Sequence, residues 1–456
     1  MATVHQRNAE GATRWLGERA LDIHYGDLPP GPQRIVKHCI IDWYAVTLAA
    51  IGEPGLRPLI QDAEEEGGHP RATAAGMSAK TGLYTAALLN GTTSHVLDYD
   101  DVNLAITGHP TAVIYSALLP LAESRHADGR ALLSAFAAGY ETACRVGRWL
   151  GDAHYEHGYH ATSSVGAVAA AAACANLMGL SIDQTACALG LAATQAAGLK
   201  AQFGTMAKPL HAGLAARNGL MSACLAARGY EGGRATLEAA QGYAQVLSPM
   251  PDWVAATAQP PGHWHLQNRL FKYHAACYGT NAGIECAREL RAEGVEPDQI
   301  AAITVLTHPS TRNMCHLPMP RTAAEARFSL RLNIAFALQG IDTGDIAAYT
   351  DARLNDAAIV ALRDMIKTEF SEALGRMEAE VIIELRDGAA HRRRKDASVP
   401  AADIDAEQAR ICGKYRTLAV PVLGAHGADS LLQQLLGLPG LQDTSVLATP
   451  LATPAS

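Results

Sequence analysis

Charge is scarce in this chain: Asp, Glu, Lys and Arg make up 18% of its 456 residues, against 48% hydrophobic. A formal net charge of −8 and a pI near 6.1 exclude the basic face that nucleic acid or an anionic membrane surface would require. Paired cysteines are missing as well. Cys39, Cys144, Cys174, Cys187, Cys224, Cys277, Cys286, Cys315 and Cys412 stand singly with no CxxC, so neither a disulfide framework nor a structural zinc site is indicated. That usage fits a reducing cytoplasm. The opening MATVHQRNAEGATRWLGERA lacks the apolar core of a signal peptide and reads as a polar lead into a helix. The apolar run from Ser164 to Leu177 is too short and too alanine-rich for a membrane span, and predicts a tightly packed core helix. No phosphate-binding GxxxxGK[ST] and no serine-triad motif occurs.

What is present begins with length, which predicts two domains. Residues 1–265 alternate helical patterns with short Gly or Pro breaks: Ile35 to Ile51, Thr111 to Ser124, Gly129 to Val146, Ser163 to Met178, Gln184 to Ala197 and His211 to Arg228. After Pro260-Pro261-Gly262 the character changes. Ala301 to Thr307 reads as a strand, and Ala379 to Leu385 with the turn Arg386-Asp387-Gly388 and the segment to Ala397 reads as a hairpin, with helical patterns between. Helical character returns from Ile404 to Leu436. The expected fold is mostly α: a large all-helical domain built from both chain ends (1–265 and 404–438) plus a smaller inserted α+β lid domain (266–403). The last stretch, 439–456, is expected to be a disordered tail.

Four segments concentrate reactive side chains. In 90–110, NGTTSHVLDYDDVNLAITGHP, an apolar helical run (Tyr84, Ala86, Leu88, Leu89) is expected to end at Gly-Thr-Thr-Ser, before Asp98, Asp100, Asp101 and His109. Carboxylates beside an imidazole suit proton transfer, although any single loop Asp can equally be a cap. In 158–168, GYHATSSVGAV, His160 precedes Thr162 and Ser163 at a helix start, where unpaired N–H groups can meet an anion or the hydroxyls can simply cap. His154, His157 and His160 recur every three residues, yet without a completing ligand set no metal is assigned. The loop pair His263 and His265 is weaker still.

In 203–219, FGTMAKPLHAGLAARNG, Lys208 lies before Pro209, and a helix is expected to open at His211 and Gly213. A lysine in so apolar a segment is normally paired or functional. In 271–281, FKYHAACYGTN, at the expected domain junction, Lys272, His274 and Cys277 can face a cleft, the thiol as a packed or supporting group rather than a nucleophile. Arg392, Arg393, Arg394 and Lys395 read as a solvated hairpin face. Carboxylates, imidazoles and ammonium groups of this kind suit a small anionic substrate and proton removal or addition next to a carboxylate.

The strings HVLDYDDV with GHP, GYHATSSVG, FGTMAKPLHAGLAARNG and EARFSL, in that order across most of the chain, resemble the MmgE/PrpD family. That family contains 2-methylcitrate dehydratase, cis-aconitate decarboxylase and iminodisuccinate epimerase. The resemblance implies a helical domain with an α+β lid, a cleft between them, a homodimer, and no metal or other cofactor. It carries the catalytic positions onto Asp98, His109, His160, Lys208 and Lys272, with His211 a further member of the matching motif. Thr162, Ser163, His274 and Cys277 join His211 as candidate substrate-binding residues. Departures from the family pattern fall at Val102 (usually Thr or Ser), Leu332 (a decarboxylase-like Tyr), Asn281 (often His) and Lys272-Tyr273-His274-Ala275-Ala276-Cys277 (usually Lys-Pro-Tyr-Pro-Cys-Cys). They weigh against a decarboxylase and least against an epimerase. The expectation is a metal-independent, dehydratase-like lyase for a small di- or tricarboxylate. Its rivals are an epimerase or decarboxylase on the same intermediate, a metal-dependent hydrolase using Asp98, Asp100 and His109, and a non-catalytic carboxylate binder.

Overall fold

The computed structural model describes residues 10–452. The expected polar lead over 1–9 and the last four residues of the expected tail lie outside the described residues. Two compact units result, one of residues 1–271 with 402–456 and one of residues 272–401. Helix dominates.

The first unit contains α1 (Ala12–Leu21), α2 (Pro30–Ala50), α3 (Arg57–Glu66), α4 (Leu83–His95), α5 (Pro110–Arg125), α6 (Gly129–Glu156), α7 (Ala161–Met178), α8 (Ile182–Ala193) and α9 (Ala207–Ala227), numbering only helices of eight residues or more. A two-residue ladder, β1 (Val102–Asn103) with β2 (Arg269–Leu270), is antiparallel. The alanine run becomes the central helix α7, against which α5, α6, α8 and α9 pack. Small side chains permit that density: a Cβ on Gly219 would stand 2.5 Å from Ala170 Cβ. By length and hydropathy α7 could cross a membrane, but 83% of it is buried inside the protein, as in a core helix.

In the second unit, α10 (Asn281–Ala292), α11 (Leu330–Leu338) and α12 (Ala357–Met365) accompany a four-stranded sheet. Its strands are β3 (Ile300–Thr307), β4 (Ile366–Phe370), β5 (Glu378–Leu385) and β6 (Ala390–Asp396), in the order β4-β3-β5-β6. β3 runs parallel to β4 and antiparallel to β5, and β5 with β6 forms the hairpin. Ala379, Val381 and Ile383 alternate inward, so one face of the sheet is buried and α10 packs on the hairpin. Arg392 and Arg394 pair with Glu380 and Glu378 on the exposed side, while Lys395, on the other face, pairs with Glu289 of α10. The chain then rejoins the first unit as α13 (Ile404–Leu436), which packs along α2.

Several boundaries differ from the sequence reading. α4 does not stop at Gly-Thr-Thr-Ser but continues to His95, and within it Thr92 and Ser94 satisfy their hydroxyls on the carbonyls of Leu88 (2.8 Å) and Gly91 (3.2 Å) instead of breaking the helix. α9 opens at Ala207, not His211; Pro209 is accommodated because a first-turn residue has no N–H partner to lose. The units divide after Phe271 rather than after residue 265, since Arg269 and Leu270 pair with β1 inside the first unit.

The tail, expected to be disordered, is packed through its described part. Leu447 and Leu451 are fully buried on short 3-10 turns. Its main chain is used too: the Tyr44 hydroxyl donates to Leu447 O at 2.8 Å, and Gly129 N–H donates to Leu441 O at 2.8 Å. Leucines spaced along an otherwise polar stretch supply enough apolar burial to order it.

Candidate active site

Four helix ends of the first unit build one polar cluster. His95 closes α4, His109 is the N-cap of α5, His160 is the N-cap of α7, and Lys208 lies in the first turn of α9. Neither His109 nor His160 caps its helix with its side chain, so both imidazoles are available to the cluster. Close approach of α4 and α9 is required, and glycines allow it: a Cβ on Gly91 would lie 2.7 Å from Gly213 Cα. Between α4 and β1 runs the loop that carries the carboxylates. Asp98 takes a left-handed backbone (φ 50), tolerable for Asp, while its N–H reaches His95 O at 3.1 Å.

The loop alternates its carboxylates. Asp98 is part exposed, and its Oδ1 lies 2.8 Å from Lys208 Nζ and 3.5 Å from His109 Nε2. Asp100 points inward, fully buried, with its carboxylate 3.0 Å from His95 Nδ1 and 3.2 Å from His109 Nδ1. One imidazole therefore spans two carboxylates, and either ring nitrogen can pass a proton to a neighbour. The third acid, Asp101, faces the hydroxyls of Tyr140 (3.3 Å) and Thr111.

Burial and neighbours push these groups apart. For Asp100, burial opposes ionisation, yet the imidazoles of His109 and His95 hold its carboxyl well below the usual range. Burial, with Asp42 and Asp100 nearby, raises Asp101 well above it. Burial lowers His95 in spite of Asp100, and lowers His160 far more, helped by His95, Lys208, His109 and His211. Lys208 goes up: burial works against its charge, but Asp98 and then Asp100 outweigh that, so it stays an ammonium. The result is a neutral imidazole at His160, a fixed cation at Lys208 and an ionised Asp100.

His160 and His211 meet Nδ1 to Nδ1 at 3.1 Å, so one ring donates to the other, and burial lowers His211 as well. The His160 ring also stacks on His95 at 5.7 Å and takes the edge of Phe203 at 5.0 Å. Thr162 and Ser163 support the histidines: Thr162 Oγ1 accepts from His109 N–H at 3.1 Å, and Ser163 Oγ donates to His211 O at 3.0 Å. The structure thus gathers Asp98, His109, His160, Lys208, His211, Thr162 and Ser163 from the sequence reading. It adds His95, which that reading did not select, and brings in Asp100, which that reading named among the loop acids and for the rival hydrolase but not among the catalytic positions.

Lys272, His274 and Cys277 belong to the second unit. Lys272 is buried. His274 is fully engaged, with Nδ1 2.7 Å from Thr343 Oγ1 and Nε2 2.8 Å from Glu285 Oε1. Cys277 lies beside the Cys315 thiol, and all nine cysteines are unpaired. Leu332 is enclosed in the core of that unit. His154, which shares the three-residue spacing with His160, is used structurally, between Leu247 O and Ser164 Oγ at 2.7 Å each.

His95, Asp98, Asp100 and His109 bring ligand atoms within 4.8 Å of one another, a set that could surround a cation. The Lys208 ammonium already occupies the Asp98 corner, and Asp100 already serves both Nδ1 atoms. A divalent ion would have to break those contacts before gaining its own.

A mostly helical unit whose converging helix termini hold carboxylates, imidazoles and an ammonium has the groups that proton transfer beside a bound anion requires. The chain belongs to the MmgE/PrpD family: residues 14–256 match the MmgE/PrpD N-terminal domain and residues 274–437 the MmgE/PrpD C-terminal domain. Relatives include the "Cis-aconitate decarboxylase-like protein oryM" of Aspergillus oryzae, 31% identical over 66% of this chain and 65% of its own length. The cis-aconitate decarboxylase of Homo sapiens is 28% identical over 81% of this chain and 79% of its own. That of Aspergillus terreus is 25% identical over 97% and 96% respectively. The family places the chain among decarboxylase- and dehydratase-like enzymes of the lyase type.

Proposed function

We propose that this cluster is the catalytic centre of a metal-independent lyase acting on a small di- or tricarboxylate. The observation that carries the reading is the pairing of His109, held between Asp98 and Asp100, with the buried neutral His160. One group of this kind can give a proton to carbon while the other takes one, the division of labour that lyase chemistry beside a carboxylate needs. Lys208 is the built-in cation for a substrate carboxylate or for the charge developing on an enediolate, which is why the reading does without a metal.

For the bond that breaks, loss of water comes first: a base removes the proton next to a carboxylate, and the neighbouring hydroxyl leaves with a proton as water. Val102 and Leu332, both buried and apolar, stand where the family pattern has Thr or Ser and a decarboxylase-like Tyr, and so weigh against decarboxylation without favouring dehydration over epimerisation. The relatives' names favour the second reading, in which an unsaturated tricarboxylate is protonated on carbon and carbon dioxide departs. A homodimer in a reducing compartment completes the proposal, in keeping with nine free thiols.

The test is NMR in deuterated water over a panel of hydroxy- and unsaturated di- and tricarboxylates, including cis-aconitate, before and after exhaustive chelation. New alkene signals mean dehydration, carbon dioxide release means decarboxylation, and deuterium on otherwise unchanged substrate means epimerisation. Chelation is expected to leave the rate intact. Silence across the panel, or loss of activity on chelation with recovery on adding metal, would sink the reading.

A further inference from the structure

The two helices that pack along each other in the first unit, α2 and α13, bury ionisable groups between them. His38 and Asp42 lie one turn apart on α2; Glu407 and Lys414 lie two turns apart on α13. In the upper rung His38 Nδ1 meets Glu407 Oε1 at 2.9 Å, and Glu407 also takes the guanidinium of Arg269 at 2.6 Å, anchoring β2 and so β1. In the lower rung Lys414 Nζ donates to Asp42 Oδ1 at 2.6 Å and to Tyr99 O at 2.8 Å, and sits 3.8 Å from the centre of the Tyr99 ring. Asp42 and Tyr99 are each 1% exposed.

Tyr99 is the residue between Asp98 and Asp100. From the other side of Asp100, the Asp101 backbone amide faces the Asp42 carboxylate. The lower rung therefore holds the main chain before Asp100 by the Tyr99 carbonyl and lies against it after Asp100 at the Asp101 amide, on both flanks of the carboxylate beside His95 and His109. A buried ion pair gains little over an apolar pair in plain stability. Its worth here is geometric: an apolar pair could not hold a carbonyl on one side of Asp100 and an amide on the other.

We propose that Asp42 and Lys414 are positioning residues, a clamp by which the C-terminal helix sets the Asp98–Asp101 loop of the proton-transfer site. This rests on the functional reading above. A displacement of about 1 Å in a catalytic group can cost about a hundredfold in rate. The test is the neutral, near-isosteric pair Asp42→Asn with Lys414→Met, assayed on the acid the wild-type protein turns over. The expected result is a folded protein with kcat down about tenfold to a hundredfold and KM changed less than about threefold, since Lys208 and the helix termini remain. A folded double variant with wild-type kcat, or with only KM altered, overturns the clamp. If the double variant does not fold, Asp42→Asn alone decides: kcat lowered at constant KM supports it, and wild-type kcat overturns it. If the wild-type protein turns over no acid at all, the functional reading has failed separately. The clamp is then read from the ring-proton NMR shifts of His95 and His109, which move in a folded variant if it holds the loop and stay if it does not.

Discussion

Asp100→Asn is the sharpest perturbation of the site, because it changes charge and hydrogen-bonding sense without changing shape. The carboxylate now meets His95 Nδ1 in a hydrogen bond at 3.0 Å and stands 3.2 Å from His109 Nδ1 as its charge partner, in full burial. An asparagine offers one accepting oxygen and one donating nitrogen. Only one ring can keep its present tautomer; the other must turn its Nδ1 lone pair to the amide and move its proton to Nε2. For His109 that puts N–H toward Asp98 and removes the lone pair that would accept a proton from substrate. A wrong tautomer beside an intact scaffold costs about 10⁴-fold in hydrolases that hold a histidine by a buried Asp. Here a loss of about 10² to 10⁴ in kcat is expected.

Each charge-assisted contact is worth about 1.5–3 kcal/mol, partly offset because the neutral amide is cheaper to bury. Stability should therefore fall by less than activity suggests. The pH dependence follows from the lowered pKa of Asp100 in the fold, where the imidazoles of His109 and His95 outweigh burial. Its stabilisation is complete above the unfolded value of about 3.9 and is lost as pH falls toward the folded one. Between pH 5 and 8 the stability gap between wild type and variant should stay constant, and it should close only in stronger acid. Urea unfolding across pH, alongside pH–rate profiles, measures both quantities. A variant with kcat within about threefold of wild type would refute the role of Asp100 as the group that fixes the imidazoles.

Two further outcomes follow from the same geometry. Gly91→Ala would force its Cβ to 2.7 Å from Gly213 Cα, main chain that cannot turn aside, so α4 and α9 must separate at a cost of about 1–3 kcal/mol; chemical denaturation should show it, with kcat falling as His95 and Lys208 part. Burial lowers both His95 and His160, so their contribution is fully present above about pH 6.5 and is lost as pH falls; for His160, where the lowering is large, the loss is about 1.4 kcal/mol per pH unit. Unfolding at pH 7.5 and 5.5 should reveal that loss, and His160→Asn should reduce it by one ring's share.

Much of this site was legible in the sequence because its groups sit at helix starts, and helix starts carry local signals. Pro110 after His109, and Thr162 and Ser163 after His160, mark two N-termini on their own. His95 was hidden for the opposite reason. Gly-Thr-Thr-Ser reads as a break, and only the packing of Gly91 on Gly213, far apart in the chain, keeps the helix going to present that ring. Asp100 was visible but indistinguishable from Asp98 and Asp101, since what separates them is which way a left-handed residue turns the loop. The tail misled through its prolines and polar residues, although Leu441, Val446, Leu447 and Leu451 already hinted at burial. Lys414 gave no signal, because its partners lie more than 300 residues away.

Charge balance restricts what this cluster can take. Asp98 and Asp100 bring negative charge, Asp101 is pushed toward its neutral form, and the Lys208 ammonium is matched by Asp98. A polyanionic substrate arriving here cannot simply add to that arrangement, because its carboxylate would meet Asp98 beside the same cation. It gains only by taking Lys208 from Asp98 and drawing further on the positive ends of α5, α7 and α9. That exchange would do chemical work. Released from Lys208, Asp98 loses an opposite charge 2.8 Å away and is left facing His109 Nε2 at 3.5 Å; a carboxylate that loses such a partner is a better base. Substrate binding and activation of the acid–base pair would then be one event, which explains why an acid, an imidazole and an ammonium stand in mutual contact rather than apart.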